Sequence, residues 1–469
     1  MSEIQGVPNC PGCVALRKRV EELEALVARL QEQIVELTNR LNQNSNNSSR
    51  PPSTDPPWKK NNSPKPKSSR APGGQPGHPG HYRELLPPER VTKTVAHVPH
   101  SCANCGHPLP QKRQLDDPEP TRHQVLELPE LPVGVTQHEG EARTCPKCGY
   151  VTRAEIPAEI RAYTLGPRLT AILSFLTGYC HLSKRQVQEV CGVIYGVPVG
   201  LGSIPKHEQE VATALAPAYQ AVGDAVRAAT VKNVDETGWN KGGVLCWLWV
   251  VATVSATFYQ IQKSRGRKAC QKLLGAAKNI IITDRWVAYA RWPLHLRQIC
   301  WAHLRRDFQR LSELTGTCRL LGLAGKRTHK RLFSVWQDFK AGVIGRRELQ
   351  ARMRPLRAKL ERALQRGRDS PDKKAARFCR RLLKVYPALW TFVDVEGVEP
   401  TNNHAERMGR PAVLWRKCSF GNQSAEGCHF SEVILTVIQT LRMQKKPVLD
   451  YLTHAVAASR AQQPIPNIL

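Results

Sequence analysis

Two apolar runs that each lead into an aspartate constrain the fold of this chain more than any other feature of its sequence. The run V-K-N-V-D occupies 231–235, and the run N-I-I-I-T-D occupies 279–284. Short apolar runs rich in β-branched residues are typical of buried strands. Each run places its aspartate, Asp235 or Asp284, at the carboxyl end of a predicted strand, so the two carboxylates are candidates for one shared site.

A third acidic residue, Glu406, lies in the segment T-N-N-H-A-E-R-M-G-R at 401–410. Read alone, Asn403 and Glu406 fit a helix N-cap and its capping-box partner. Each aspartate also has a local alternative, a helix cap for Asp284 and a turn for Asp235. Taken together, the three carboxylates indicate a divalent metal site, because Mg²⁺ takes hard oxygen ligands and leaves positions for phosphate oxygens. Two such ions can activate water and stabilise the leaving oxygen of a phosphodiester.

The residues around the aspartates predict an α/β domain that begins near 230. We expect an antiparallel pair over 244–261 with a turn at 254–255, a helix over 263–277, a strand over 297–300 and a helix over 302–311. This order is that of an RNase H-like fold, whose first and fourth strands are neighbours, which would bring Asp235 beside Asp284. Glu236 would point to the opposite face of its strand and is the weaker candidate.

A helical stretch dense in Arg and Lys is predicted to interrupt this domain before Glu406. Its charge favours phosphate contact over a merely solvated face. The sequence G-R-P at 409–411 is expected to bend or restart the helix that carries Glu406, because proline removes a backbone donor. We expect the last residues, 464–469, to be loose.

The amino-terminal segment carries a heptad repeat. Its two apolar seams are Leu16, Leu23, Leu30 and Leu37, and Val20, Val27, Ile34 and Leu41. β-Branched residues at one seam position and leucine at the other favour a parallel two-stranded coiled coil, and hence a homodimer or a higher oligomer. The alternative is an amphipathic helix that packs on its own domain.

Two C-x-x-C-G motifs predict a structural Zn²⁺ site with the ligands Cys102, Cys105, Cys145 and Cys148. Each pair can hold the ion through a tight turn that its glycine allows. A redox role fits less well, because neither pair opens a thioredoxin-like helix pattern.

Two further pairs have metal-ligand spacing but weaker signals. For Cys10 and Cys13 we favour two free thiols over half of a zinc site shared across a dimer. For Cys300 and His303, with C-x-x-H spacing, we favour a structural role or a role beside the metal ligands over a zinc half-site.

The composition indicates a polyanionic partner. Lys and Arg number 69 against 39 Asp and Glu, which gives a formal net charge of +30. Nucleic acid is the leading partner and an anionic membrane surface the second. The sequence has no apolar run of membrane-spanning length and no signal-peptide pattern. Fifteen cysteines, an odd number, with C-x-x-C pairs favour a reducing interior.

These expectations define a multidomain chain with eight segments. They are a coiled-coil helix (14–43), a flexible basic linker (44–85), a zinc ribbon (86–160), a helical segment (161–229), the first part of an RNase H-like core (230–312), a helical insertion (313–398), the second part of the core with Glu406 (399–445) and a tail (446–469). Residues 182–214 fit a helix-turn-helix and an ordinary helical pair equally well.

Several motifs resemble those of DDE transposases of the insertion-sequence-66 family. They are N-S-S-R-P-P-S-T-D (47–55), V-D-E-T-G-W (234–239), T-D-R-W-V-A-Y (283–289), C-W-A-H-L-R-R-D-F (300–308), P-T-N-N-H-A-E-R (400–407) and R-K-C-S-F-G (416–421), with the paired cysteines between the first two. The resemblance covers most of the chain and implies the large transposase subunit. It also implies that Asp235, Asp284 and Glu406 hold two Mg²⁺ ions, for which Mn²⁺ can substitute.

The implied reaction is hydrolysis at the ends of the mobile element, followed by attack of the freed 3′ hydroxyl on target DNA. The candidate DNA-binding residues are Arg305, Arg306, Arg407, Arg410, Arg416 and Lys417. The resemblance implies a protein of the bacterial cytoplasm, associated with the nucleoid, that works with two small accessory proteins of the same element. Two alternatives are a DNA-binding repressor or architectural protein derived from a transposase, and an RNase H-like nuclease without strand transfer.

Overall fold

The computed structural model describes residues 11–41, 84–128 and 133–469. The helices are α1 (Pro11–Leu41), α2 (Ala158–Arg161), α3 (Pro167–Gly178), α4 (Lys184–Tyr195), α5 (Ile204–Ala214), α6 (Ala216–Ala228), α7 (Arg267–Leu274), α8 (Trp301–Ser312), α9 (Gly316–Lys340), α10 (Arg346–Arg368), α11 (Lys373–Leu383), α12 (Thr391–Asp394), α13 (Asn403–Ser419), α14 (Ala425–Met443) and α15 (Val448–Arg460). The strands are β1 (Ala142–Thr144), β2 (Val151–Arg153), β3 (Val231–Lys241), β4 (Val244–Ala252), β5 (Thr257–Gln262), β6 (Ile280–Thr283) and β7 (Arg297–Ile299). Within these ranges no helix is both long and apolar enough to cross a membrane.

The described chain divides into two compact units, one with residues 84–128 and 133–135 and one with the other described residues. The division falls inside the zinc ribbon predicted at 86–160. Of the linker predicted at 44–85, only residues 84 and 85 are among the described residues. Cys10 also lies outside the described residues.

Helix α1 presents its heptad seams to solvent. The eight seam residues are between 47% and 79% exposed. An exposed apolar stripe of this length is typical of a surface that a partner covers. The exposure does not support the alternative in which α1 packs on its own domain.

A five-stranded mixed sheet forms the centre of the larger unit, in the order β5-β4-β3-β6-β7. The first three strands form an antiparallel meander, and β6 and β7 extend the sheet in parallel from β3. Gly242 and Gly243 form the two-residue turn between β3 and β4, and both have positive φ, at 55° and 84°. Such a turn requires positive φ at both positions, which glycine adopts without strain. Strands β3 and β6, which are the first and fourth strands of this sheet in chain order, are neighbours, as the sequence predicts.

The helices cover the sheet and extend its core in two directions. Helices α3, α5, α6, α14 and α15 bury their apolar side chains with those of β3, β4 and β5 in one cluster. The segment predicted as helical at 161–229 therefore shares a core with the sheet. A second cluster joins β6 and β7 to α8, α9, α10 and α11, so the helices predicted at 313–398 pack around side chains such as Phe308 and Trp390.

The chain end is packed against α14 and α15, contrary to the expected loose tail. Ile468 is 1% exposed. Its backbone C=O accepts a hydrogen bond from Lys446 at 2.9 Å, and the Pro466 C=O accepts one from the Tyr451 hydroxyl at 2.8 Å. The sequence expectation failed because these anchors come from residues 15 or more positions away.

Candidate active site

Strands β3 and β6 hold Asp235 and Asp284 at one level of the sheet. Asn233 pairs with Ile282 in parallel register, and each aspartate lies two residues further along its strand direction. Because side chains alternate with a period of two, both aspartates continue the same face. The sequence placed Asp235 at the end of its strand, and this was wrong. Beyond Asp235 the strand continues along β4, where Asp235 itself pairs with Val250.

Cys300, which follows β7, lies in the same row across the sheet as Asp235 and Asp284. Thr283 pairs with Ile299 between β6 and β7, and the Cys300 N–H donates to the Thr283 C=O at 2.8 Å. Cys300 therefore lies level with Asp284 at the end of β7, immediately before α8. Cys300, including its sulfur, is fully buried.

Asn402 attaches the start of the Glu406 helix to this row. Its side-chain amide donates to the Val234 C=O at 2.8 Å, and its Oδ1 accepts from Asn233 at 3.1 Å. Its backbone N–H donates to Cys300 Sγ at 3.2 Å. The capping-box interpretation was wrong, because α13 begins at Asn403 and the side chain of the preceding Asn402 binds the sheet instead. Sequence reasoning missed Asn402, although its place in the motif at 400–407 was a signal.

Asn402→Ala is expected to lower the free energy of unfolding by about 1–3 kcal/mol. The substitution leaves the buried Val234 C=O and the Asn233 amide without their partner, and unsatisfied buried polar groups carry this cost. Urea unfolding of the variant beside wild type measures the effect. Asn403→Ala, at the exposed neighbouring position, is the control and is expected to change stability by about 0.5 kcal/mol or less. Equal stabilities for the two variants would contradict the anchoring role.

The acidic residues interact electrostatically. Burial, and after it the nearby charges of Glu236, Glu406 and Asp284, raise the pKa of Asp235 to about 8. Like charges disfavour the ionised form of one another unless a cation is present. Glu406, exposed at the start of α13, therefore lies close enough to Asp235 to repel its carboxylate.

Glu236 faces the other side of the sheet, as the strand alternation predicts. Its carboxylate accepts hydrogen bonds from Arg265 at 3.1 Å and from the Tyr289 hydroxyl at 2.5 Å. The Arg265 guanidinium lies over the rings of Trp247 and Trp286, at 4.4 and 3.6 Å. Burial is the main cause that raises the pKa of Glu236 to about 7. These contacts tie Glu236 into the structure on the face opposite Asp235.

His303, on the first turn of α8, reaches Glu406. Its Nδ1 lies 3.6 Å from Glu406 Oε1. Cys300, His303 and Glu406 each offer a ligand atom, and these atoms lie within 4.8 Å of one another. Glu406 joins the Cys300–His303 pair although about 100 residues separate them in the chain, so no local pattern in the sequence indicates the cluster.

The six candidate DNA-binding residues differ in their surroundings. Arg305, Arg407, Arg410 and Lys417 are exposed, and Arg306 is partly exposed. Arg416 donates to the Thr237 hydroxyl at 3.0 Å and to the Gly238 C=O at 2.6 Å, so it binds α13 to β3. For Arg416 the structure indicates a role within the protein; DNA contact by the other five stays a prediction.

The two C-x-x-C-G motifs fold into matching loops. The Cys102 N–H donates to the His107 C=O at 2.9 Å, and the Gly106 N–H donates to the Cys102 C=O at 2.9 Å. The loop at Cys145 repeats both bonds, at 2.8 and 2.9 Å. Gly106 and Gly149 have φ near +70°, which glycine adopts without strain in a tight turn. Backbone N–H groups that donate to sulfur lower the pKa values of Cys102 and Cys145.

Comparison with known proteins identifies the family of this chain. Residues 164–429 match the Transposase IS66 family. This match covers more than half of the chain and contains Asp235, Asp284 and Glu406, and the chain belongs to this family.

Two other similarities carry less functional information. Residues 10–84 match a family of unknown function, DUF6444. The uncharacterized protein y4qI of Sinorhizobium fredii is 26% identical over 238 residues, which are 45% of this chain and 43% of that protein. The match therefore spans less than half of the length of that relative.

Proposed function

We propose that the protein is a DDE transposase that cleaves the ends of its insertion sequence and joins the 3′ hydroxyls to target DNA. The observation that carries the proposal is the register of β3 and β6, which brings Asp235 level with Asp284. The charges of Glu406 and Asp284 both raise the pKa of Asp235, which supports Glu406 as the third carboxylate of the site. We further propose an RNase H-like catalytic domain, which the strand order and the single antiparallel-to-parallel change at β3 support.

The donor set fits Mg²⁺, with Mn²⁺ as a substitute, because three carboxylates that repel one another gain most from a hard dication. Two bound ions would supply Lewis acidity to the attacking and leaving oxygens of a phosphodiester. The protein positions the ligands: the sheet fixes Asp235 and Asp284, and Asn402 fixes the helix that carries Glu406. Arg305, Arg306, Arg407, Arg410 and Lys417 would neutralise the DNA backbone nearby.

The test is strand cleavage of labelled element-end DNA with Mg²⁺ or Mn²⁺, in the presence of a second DNA that captures strand transfer. We expect metal-dependent nicking and joined products. Tight DNA binding without cleavage, also after addition of the two accessory proteins, would favour the alternative of a DNA-binding repressor derived from a transposase. Nicking without joined products would favour an RNase H-like nuclease.

We propose that Cys102, Cys105, Cys145 and Cys148 hold a structural Zn²⁺ ion, and the matching loops and the N–H bonds to sulfur support this. Cys105→Ser and Cys148→Ser are each expected to lower the zinc content of the purified protein by about one ion per chain. Elemental analysis measures this loss. Cys180→Ser removes an exposed cysteine outside the loops and is expected to leave the zinc content unchanged. Wild-type zinc content in both loop variants would contradict the site.

We propose that α1 forms a parallel coiled-coil dimer, on the strength of its exposed heptad seams. The double variant Leu23→Ala/Leu30→Ala removes two seam side chains and is expected to lower the dimer mass to that of the monomer at micromolar concentration. Light scattering coupled to gel filtration measures the mass. Glu24→Ala, on the exposed surface beside the seam, is the control. A wild-type protein that is already monomeric would refute the proposal.

A further inference from the structure

A cluster of soft and borderline metal ligands lies beside the proposed Mg²⁺ site. It consists of Cys300 Sγ, a His303 ring nitrogen and a Glu406 carboxylate oxygen, all within 4.8 Å of one another. Cys300 and His303 stand at the end of β7 and the start of α8, while Glu406 stands at the start of α13. Two helix starts thus bring three different ligand types to one point.

The spacing of His303 and Glu406 suits a tetrahedral ion. Zinc bonds to nitrogen, oxygen and sulfur are about 2.0–2.3 Å long, which puts neighbouring ligand atoms roughly 3.4–3.6 Å apart in a tetrahedron. The distance from His303 Nδ1 to Glu406 Oε1 is already 3.6 Å. The Cys300 sulfur lies within 4.8 Å of both other ligand atoms, so a modest side-chain movement would bring all three within bonding distance of one ion.

The Nδ1 atom of His303 supplies an independent reason for a ligand. It is buried and has no hydrogen-bond partner among the described residues. A buried polar atom without a partner destabilises the folded state. A metal ion between His303 and Glu406 would satisfy this atom.

Cys300 is placed as a thiolate ligand would be. Its sulfur accepts the Asn402 N–H at 3.2 Å, and it lies at the amino-terminal end of α8, where a negative charge is favoured. Burial nevertheless raises the pKa of Cys300 to about 11. The buried sulfur therefore stays a neutral thiol unless a cation binds it.

We propose that Cys300, His303 and Glu406 bind Zn²⁺, and that this ion withdraws Glu406 from the carboxylate site. Thiolate and imidazole select zinc and cobalt over Mg²⁺ and Mn²⁺. Three protein ligands leave the fourth position open to water or to a phosphate oxygen. Zinc binding rests only on the cluster, whereas inhibition of strand cleavage by zinc also rests on the proposed function. Zinc at concentrations far below those of Mg²⁺ is the expected inhibitor.

Cobalt spectroscopy of the full-length protein tests binding without any reliance on activity. Co²⁺ is added to protein that carries about one zinc ion per chain, the amount that the four-cysteine site would take, and is expected to give a thiolate-to-cobalt absorption band in the near ultraviolet. The band is expected to disappear in Cys300→Ser and to weaken and shift in His303→Gln. Cys379→Ser, which changes another fully buried cysteine, is the control and is expected to keep the band. A wild-type spectrum identical to those of Cys300→Ser and His303→Gln would overturn the proposal.

Zinc inhibition of strand cleavage at fixed Mg²⁺ tests the second part. Each protein is compared with its own rate without zinc. We expect His303→Gln to need at least about tenfold more zinc than wild type for half-inhibition, because loss of a ligand weakens binding by at least the effect of an outer-shell change. Equal zinc sensitivity would overturn the withdrawal of Glu406. If the protein cleaves no DNA at all, the cobalt spectrum still decides whether the site exists.

Discussion

Asp235→Asn is expected to abolish metal-dependent strand cleavage while DNA binding persists. The substitution removes one charge from the point where β3, β6 and α13 meet and changes the side-chain volume little. Metal-ion catalysis contributes several kcal/mol, and each 1.4 kcal/mol corresponds to a factor of ten, so the rate is expected to fall by about 1,000-fold or more. Cleavage and gel-shift assays on the same element-end DNA measure the two properties.

Folding of the Asp235→Asn variant can be checked independently of its activity. Asparagine mimics the uncharged form that burial and the nearby carboxylates favour in the metal-free protein, where the pKa of Asp235 is raised to about 8. The metal-free variant is therefore expected to unfold at no lower temperature than wild type. Mg²⁺ is expected to raise the unfolding temperature of wild type and to leave that of the variant unchanged.

Glu236→Gln is the matched control for Asp235→Asn. It removes the adjacent carboxylate of β3, on the face that binds Arg265 and Tyr289. We expect lower stability but continued metal-dependent cleavage. A folded Asp235→Asn protein that cleaves at the wild-type rate would contradict the assignment. The assignment would also be contradicted if Asp235→Asn and Glu236→Gln were equally stable and lost the same fraction of their cleavage rate.

The elements that could be predicted from the sequence are those that a local apolar run or a repeating pattern of residues marks. The apolar run at 279–284 becomes the buried β6, and the heptad repeat becomes α1. The second half of β3 was missed because neither of its faces is plainly apolar. Glu236 forms an ion pair with Arg265 there, and the Thr237 hydroxyl accepts a hydrogen bond from the Arg416 guanidinium. Such partners are not visible in a local pattern.

The helix that carries Glu406 shows the same limit. The expected restart at Pro411 was wrong, because α13 continues without interruption from Asn403 to Ser419, and a bend at the proline stays a prediction. Ala412 and Trp415 are buried against the sheet beyond the proline, and tertiary packing of this kind outweighs the local cost of one missing donor. The roles of Asn402 and His303 were equally hidden, since their partners Val234 and Glu406 are more than 100 residues away.

Gly322→Ala is expected to lower the free energy of unfolding by about 3 kcal/mol or more. A Cβ atom at Gly322 would lie 2.2 Å from the Ser312 backbone nitrogen and 2.6 Å from the Phe308 carbonyl oxygen. Backbone atoms of α8 cannot move aside as a flexible side chain can, so α8 and α9 would have to separate and Phe308 would lose its buried position. Overpacking of this kind costs 1–3 kcal/mol in ordinary cores and more where nothing can yield.

Gly192→Ala is the control, because it makes the same chemical change in a helix. Gly192 lies within α4, and a Cβ there would meet no described atom within 4 Å. Alanine is the better helix former, so this variant is expected to gain about 0.5–1 kcal/mol. Urea unfolding of both variants measures two shifts of opposite sign. If Gly322→Ala were as stable as wild type, α8 and α9 could not approach as closely as described. The position of His303, which α8 carries to Glu406, would then have to be revised with it.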